Sequence, residues 1–472
     1  MAQNSTATFT NGNVMRHVTV TSFTASIGLM AIYAVDLIDL IFISMLGQDV
    51  MAAAAGYAST LMFFTSAINI GLAVAAGVLT ARAIGAEDDE GAQEYATTAA
   101  IFVIVAGILV PAIVLPNAHF FLGLLGAEGE VADLAATYIW IILPFTFVSG
   151  LSMVAVSFLR GYGENKVAMY PALLGAATNG ILDPILIFGL SMGMEGAAWA
   201  TVCARFVTLG LAIYPAIKRY NAFIRPRSYW LWRDLAEVNQ LAIPAVLANI
   251  ATPVGTAIIT REMSKFGTDA IAGMAVIGRM TPVAFSVILA LAGAIGPILG
   301  QNYGAKQMDR VRQAYIDALK FVALYVGFVT LVLFLLRDHI VALFGASGMA
   351  EKLILLYCFP VALASFFNGA VFVANASFST MGRPSYATWF SWAQNTLGTF
   401  PFAYLGGTLY GAPGVLIGQA SGSVFFAVIA MYVGFRVIIN PPDIRKKHRK
   451  HHYLVNHHNM VMHVLDKHGG NH

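Results

Sequence analysis

The sequence predicts an all-α polytopic membrane protein, with 12 transmembrane helices in two pseudo-symmetric six-helix lobes around a central cavity. Three observations carry this reading. Only 11% of the 472 residues are charged, 58% are hydrophobic and the mean hydropathy is +0.72. Soluble globular chains carry roughly 25% charge, so this chain has too little polar surface to stay folded in water. Apolar stretches long enough to cross a bilayer recur along its whole length. The second half of the chain also repeats the first. The composition excludes a soluble enzyme, a disordered chain and a nucleic-acid binder. The 44 Gly and 17 Pro suit transmembrane helices, which carry more of both than soluble helices do.

The spans fall at 15–46, 51–81, 94–116, 131–159, 167–190, 195–217, 236–263, 270–299, 313–336, 352–381, 385–409 and 412–438. Several exceed the ~20 residues a crossing needs, which predicts tilt or kinks. The N-terminus is Asn/Thr-rich, without a basic stretch before a short apolar core, so no cleavable signal peptide is expected and the first segment stays as a helix. With the N-terminus inside, 20 of the 27 basic residues fall on inner loops and ends. The positive-inside rule then places both termini in the cytoplasm, as an even number of spans requires. The expected organisation is a cytoplasmic segment 1–14, an N-terminal lobe 15–217, a cytoplasmic linker 218–235, a C-terminal lobe 236–438 and a basic tail 439–472. The linker carries five basic residues with Trp230 and Trp232, and reads as an interfacial strap.

The repeat has a register. Gly77, Gly85 and Ala86 meet Gly296, Gly304 and Ala305 at one constant offset. "LGQDVMAA" (46–53) matches "FGTDAIAG" (266–273), and Gly193 and Gly196 match Gly411 and Gly414, with the register drifting by one position either way. Six spans per half give the halves the same topology, hence a pseudo-two-fold axis along the membrane normal and a cavity between lobes.

The halves differ in their acids. Asp36, Asp39 and Asp183 lie inside spans, where an ionisable group costs several kcal/mol and reads as functional by default. In the repeat, Asp36 and Asp39 become Thr256 and Ile259, and the region matching Asp183 has no acid. At 1.5 Å per residue, Asp39, Asp183 and Thr201 all lie ~10 Å from the outer ends of their spans. Asn179 and Asp183, four apart, share a helix face, as do Asp36 and Asp39, three apart. Pro184 cannot donate to the Gly180 carbonyl, which frees an acceptor. Carboxylates, an amide oxygen, a hydroxyl and a loose carbonyl suit a hard cation such as Na⁺. The same cluster suits a proton, because desolvation and like-charge repulsion favour the protonated carboxyl. Arg205, one turn below Thr201, is the natural partner if the acids are structural, and could otherwise tune the site.

These residues also carry a resemblance. "DLIFISMLG" (39–47), "NGILDPILIFGL" (179–190) and "GAAWATV" (196–202), with twelve spans and the tandem repeat, resemble the multidrug and toxic compound extrusion (MATE) family, and are similar to its prokaryotic DNA-damage-inducible branch. The resemblance covers nearly all of residues 15–440. It implies that Asp39, Asn179, Asp183 and Thr201 form the cation or proton site of the N-terminal lobe, as Na⁺ ligands if the ion is sodium. Thr24 stands where that branch often has Pro, and Asp36 where relatives often have Asn. The norfloxacin-resistance branch has acids in helices 7 and 10; here those helices offer only Glu262 near an outer end.

The expected function is a secondary active antiporter in the cell (inner) membrane. It would export amphiphilic, cationic or aromatic organic compounds in exchange for H⁺ or Na⁺ by rocking two lobes around the cavity. The alternatives are a lipid-linked precursor flippase, against which the acidic N-terminal lobe counts, and a non-transporting receptor or scaffold, which has no need of one-sided intramembrane acids. No enzymatic activity and no cofactor are expected beyond the coupling ion. Small organic substrates and the bilayer are the expected partners, nucleic acid is not, and the chain is expected to act as a monomer. No G-x-x-x-x-G-K-[ST] motif supports ATP-driven transport. Cys203 and Cys358 both fall in spans and read as apolar filler. The tail holds eight of the 11 His, at spacings that match no structural zinc motif.

Overall fold

The computed structural model describes residues 7–45 and 49–441; the His-rich tail lies outside the described residues. The described chain is helical almost throughout. The first half comprises α1 (Val14–Met45), α2 (Asp49–Gly85), α3 (Asp89–Val114), α4 (Ala118–Leu124), α5 (Gly129–Ile142), α6 (Thr146–Gly161), α7 (Asn165–Pro184) and α8 (Gly193–Tyr220). The second comprises α9 (Ser228–Ser264), α10 (Thr268–Ala284), α11 (Ser286–Gly304), α12 (Met308–Leu343), α13 (Gly348–Cys358), α14 (Ser365–Thr380), α15 (Pro384–Trp392) and α16 (Phe400–Ile439).

Three broken helices and the short α4, which is too short to cross, account for the surplus over twelve. The fourth span is α5 and α6 joined by a 3₁₀ turn, Leu143–Phe145, at Pro144. The eighth breaks at Phe285 between α10 and α11. The tenth breaks between α13 and α14 around Pro360. In the last two spans the helix runs almost unbroken through Pro384–Ile439, 56 residues, which at 1.5 Å each is far longer than a bilayer is thick. Gly411 turns it back with φ 67° and ψ −151°, a conformation that favours glycine. The two limbs then run antiparallel at backbone contact, because Gly398 faces Gly422 and Gly406 faces Gly414. Eleven candidate spans, one of them this double crossing, are consistent with the expected 12.

The lobes are joined by a short non-helical stretch, 221–227, so the flanks of the expected 218–235 linker belong to α8 and α9. Asn221 ends α8 in the left-handed region at φ 51°, its N–H on the last-turn carbonyls. Trp230 is buried and Trp232 is exposed.

At the end of the molecule where the basic loops gather, the lobes lock together. Gly85 of α2 abuts the Gln301 carbonyl of α11, and Gly304 of α11 abuts the Arg82 carbonyl of α2. These two contacts exchange under the repeat, since Arg82 and Gln301 are themselves counterparts at the same offset as Gly85 and Gly304. The pseudo-two-fold axis therefore runs through this crossing. The side chains repeat the exchange: Arg82 donates to the Ser379 and Thr380 carbonyls across the seam, and Gln301 donates back to the Gly161 carbonyl at 2.7 Å.

A strap that the sequence does not announce lies over the same seam. Phe9, in the 3₁₀ turn Thr8–Thr10, is 2% exposed. Its N–H donates to Gln301 Oε1 at 2.7 Å, and its carbonyl accepts from Asn302 and Arg310. On the other lobe, Thr8 Oγ1 donates to the Tyr162 carbonyl at 3.3 Å. Burial, reinforced by the Asp89 carboxylate, pushes the Tyr162 phenol upward, so it stays a neutral donor to Asp89. Arg233 of α9 bridges Glu94 of α3 and its own neighbour Asp234, adding an ionic tie between the lobes. Tyr95 of α3 adds a hydrogen bond, donating to Glu237 of α9 at 2.6 Å. These polar ties between the lobes gather at the basic end, which is therefore the closed end of the cavity.

If these ties hold the closed end, Gln301→Ala will loosen it. A cysteine at Ser379, at the cavity's inner limit, is then labelled faster by a membrane-impermeant maleimide applied from the basic face than in the Gln301 parent. Equal labelling rates would show that the ties are not what keeps this end shut.

Candidate functional site

Between the lobes lies a cavity of about 780 Å³, walled by α1, α2, α6, α7 and α8 on one side and α9, α11, α14 and α15 on the other. That volume holds a drug-sized molecule. Asn179, Thr201 and Arg205 of the first lobe line it.

The candidate ion site lies on three helices. Gly28 of α1 packs against Ala172 of α7, and further along Val35 meets Gly180, so the two helices stay side by side up to the level of the acids. Gly175 lets α7 approach α8 at Thr208 so closely that an added Cβ would strike the Thr208 hydroxyl. Within α7, Asn179 Nδ2 donates to Asp183 Oδ2 at 2.9 Å, on the one helix face where their four-residue spacing puts them. Asp183 is 0% exposed and Asn179 is 6% exposed. Asn179 thus touches both the buried carboxylate and the cavity.

After Pro184 the helix widens into a π turn, Ile185–Gly189. The lost N–H of Pro184 is the local cause, and such turns recur at functional sites. The second lobe also carries a π turn, Ala393–Leu397 in the eleventh span, which contains Gln394 and Asn395 and lies about ten residues out of the repeat register. Thr201 Oγ1 donates back to the Ala197 carbonyl at 3.0 Å, which leaves its lone pairs available to the cavity. Asp36 and Asp39 stand on α1, but their side chains lie outside the described residues.

Among the described residues, Arg205 does not make the ion pair that a purely structural role for the acids would require. Its Nη1 donates to the Ile142 carbonyl at 3.1 Å, and it forms no ion pair with a described carboxylate. The break at Leu143–Phe145 turns that carbonyl out of the helical ladder, where the guanidinium reaches it. Asp183 is therefore not ion-paired with Arg205. Among the described residues, no group of three or more His, Cys, Asp or Glu gathers as a metal centre.

Comparison with known proteins decides the family. A single family description, MatE, matches twice, over residues 24–185 and 244–405. The chain belongs to the MatE family. The double match falls once on each lobe of this MatE protein, at the spacing of its internal repeat, and covers more than half of the chain. Members of the family are membrane transporters rather than enzymes. The chain is 27% identical over 425 residues to an FAD transporter of Shewanella oneidensis, covering 87% of this chain and 92% of that protein. It is 24% identical over 423 residues to the multidrug export protein MepA of Staphylococcus aureus, covering 86% and 90%. A solved multidrug resistance MATE family transporter in an outward-facing conformation shares the fold with a TM-score of 0.86, at 24% identity over 93% of this chain and 98% of that one.

The helix contacts yield a prediction. Gly175→Val will force α7 away from α8 at an overpacking cost of about 1–3 kcal/mol, and so part Asn179 and Asp183 from Thr201. Transport should fall strongly in protein that still elutes as a monodisperse peak on size-exclusion chromatography. Full transport in that variant would show that the α7–α8 spacing does not matter to the site.

Proposed function

We propose that this MatE transporter is a secondary active antiporter that exchanges organic compounds held in the cavity for H⁺ or Na⁺ bound at Asp183. Asn179, Thr201, Asp36 and Asp39 complete the ion site, and Arg205 tunes it from the cavity wall. One observation supports this above the others. A fully buried carboxylate is hydrogen-bonded to Asn179, and Asn179 itself lines the cavity. Ion loading at Asp183 thereby alters the donor that faces the substrate. A ligand shifts a two-state equilibrium only through its differential affinity for the two states, and this shared residue supplies a route for that difference.

With the basic end taken as cytoplasmic and the protein in the inner membrane, the conformation described above faces outward. The Arg82–Thr380, Gln301–Gly161, Phe9 and Arg233–Glu94 ties are then the contacts that break when the lobes rock to face the cytoplasm. The FAD transporter and MepA suggest aromatic, amphiphilic cargo, and a cavity of this size accommodates it. The lipid-linked precursor flippase is the second reading. Two arginines on the cavity wall favour it chemically, whereas the family match favours export.

Reconstitution in proteoliposomes tests the proposal, with FAD and ethidium as trial substrates and with pH and Na⁺ gradients imposed separately. One gradient should drive flux in the wild type, and Asp183→Asn and Asp39→Asn should each lower that flux by about tenfold or more, the equivalent of at least one strong interaction. Wild-type flux in both variants would remove the assignment.

A further inference from the structure

The charged residues on the described cavity wall are Arg160 and Arg205, and both are basic. Arg160 ends α6 at the closed floor of the cavity. Its guanidinium takes part in no hydrogen bond, ion pair or aromatic stacking contact with any described residue, although Gly293 of the opposite lobe comes close to its Nη1. Arg205 spends one donor on the Ile142 carbonyl and has no acidic partner among the described residues. Asp183, a buried carboxylate of this lobe, is sealed off from the cavity at 0% exposure.

The internal repeat shows that the fold does not require these bases. The counterpart of Arg160, in the register that pairs Gly77 with Gly296, is Ser379. That of Arg205, in the register that pairs Gly196 with Gly414, is Ser423. In the second lobe the polar groups on the wall are neutral. Asn249, Asn375, Gln394 and Asn395 line it, and the last two sit on the π turn. Asn375 Nδ2 donates to Ser391 Oγ at 3.1 Å, while its buried Oδ1 accepts nothing within the described protein. Between these polar sites the wall is apolar, with Met153, Met169 and Phe372 among its surfaces.

From this distribution we infer that the cavity selects an organic anion with an aromatic or otherwise flat apolar body, its oxyanion group held by Arg160 or Arg205. The inference rests on the reading of the cavity as the transport pathway, and names the class of cargo. Guanidinium cannot neutralise itself by losing a proton, so its field persists at any working pH. In a cavity with low-dielectric walls that field attracts an anion and raises the cost of admitting a cation. Five donors in a rigid fork match carboxylate, sulfonate or phosphate oxygens two at a time. The two bases differ in depth by roughly 20 Å, since Arg205 lies fifteen residues from the basic end of α8 and Arg160 lies at the basic end of α6. One base therefore stands mid-way along the cavity and the other at its floor. The methionines adapt to differently shaped apolar bodies, and the amides offer donors and acceptors to ring edges.

Fluorescein and rhodamine 6G test the charge rule directly, because they share a xanthene ring system but carry opposite charge. Binding to the purified full-length chain in detergent is read by fluorescence anisotropy and needs no ion gradient. Fluorescein should bind more tightly than rhodamine 6G, and Arg160→Gln or Arg205→Gln should weaken it by about tenfold for the base that holds the oxyanion. Arg→Lys at that base should recover part of the loss, which a purely structural role would not produce. Rhodamine 6G binding as tight as fluorescein, or fluorescein binding unaffected by both Gln variants in folded protein, would overturn the inference. Farnesyl diphosphate serves as the competitor that separates a soluble aromatic anion from a lipid-linked one. Displacement of fluorescein only at higher concentration than unlabelled naphthalene sulfonate supports the soluble class, and tighter displacement overturns it. If flux proves independent of Asp183 while fluorescein binding still follows the arginines, the antiport reading fails and the anion assignment survives.

Discussion

A carboxylate inside a bilayer costs several kcal/mol unless its surroundings hold it, and that constraint organises the first lobe. Asp183 is fully buried, takes a hydrogen bond from Asn179, and sits just before the π turn that Pro184 imposes on α7. The contacts around it follow from keeping it there. Gly28 and Gly175 let α1 and α8 press against α7, and a side chain at either glycine would part the helices that surround the acid. The second lobe repeats the helices but has no acid in the region matching Asp183, and its own π turn carries Gln394 and Asn395. The scaffold is therefore symmetric, while its chemistry is not.

The symmetry has its own physical seat. The reciprocal contacts of Gly85 with Gln301 and of Gly304 with Arg82 place α2 and α11 at backbone distance around one axis. Small residues let transmembrane helices approach closely enough for dispersion and polar contacts to hold them. Polar side chains cross the seam at the same level, beside apolar packing of Leu72, Val78 and Leu79 of α2 with Val238 and Leu241 of α9, so discrete ties and packing together hold this end. A closure of that kind can exist in two packed arrangements, which a rocking transporter requires.

Much of this was legible in the sequence. Low charge and long apolar runs indicated the class, and the near-constant offset between matching glycines indicated the two lobes and their axis. The four-residue spacing put Asn179 and Asp183 on one helix face, where they hydrogen-bond. Other features could not be read because they depend on contacts far apart in the chain. Phe9 lies in a polar N-terminal stretch, and its burial arises only from Gln301, Asn302 and Arg310, which belong to the opposite half of the sequence. The contact that Arg205 does make, with the Ile142 carbonyl, depends on a break in a different helix and could not be read from its own surroundings in the sequence. Read from its position alone, Arg160 groups with the inner-loop bases that set topology. The comparison of halves that singles out Asp183 also singles out Arg160, since its counterpart is Ser379.

The central claim is that the buried Asp183–Asn179 pair couples an ion to the cavity. Its most direct measurement compares two modes of transport by Asp183→Asn in the same proteoliposomes: accumulation driven by an ion gradient, and gradient-free exchange of internal for external substrate. Loss of gradient-driven accumulation with exchange retained is the predicted result, because the cavity survives while the ion site does not. Gradient-driven accumulation at the wild-type level would contradict it.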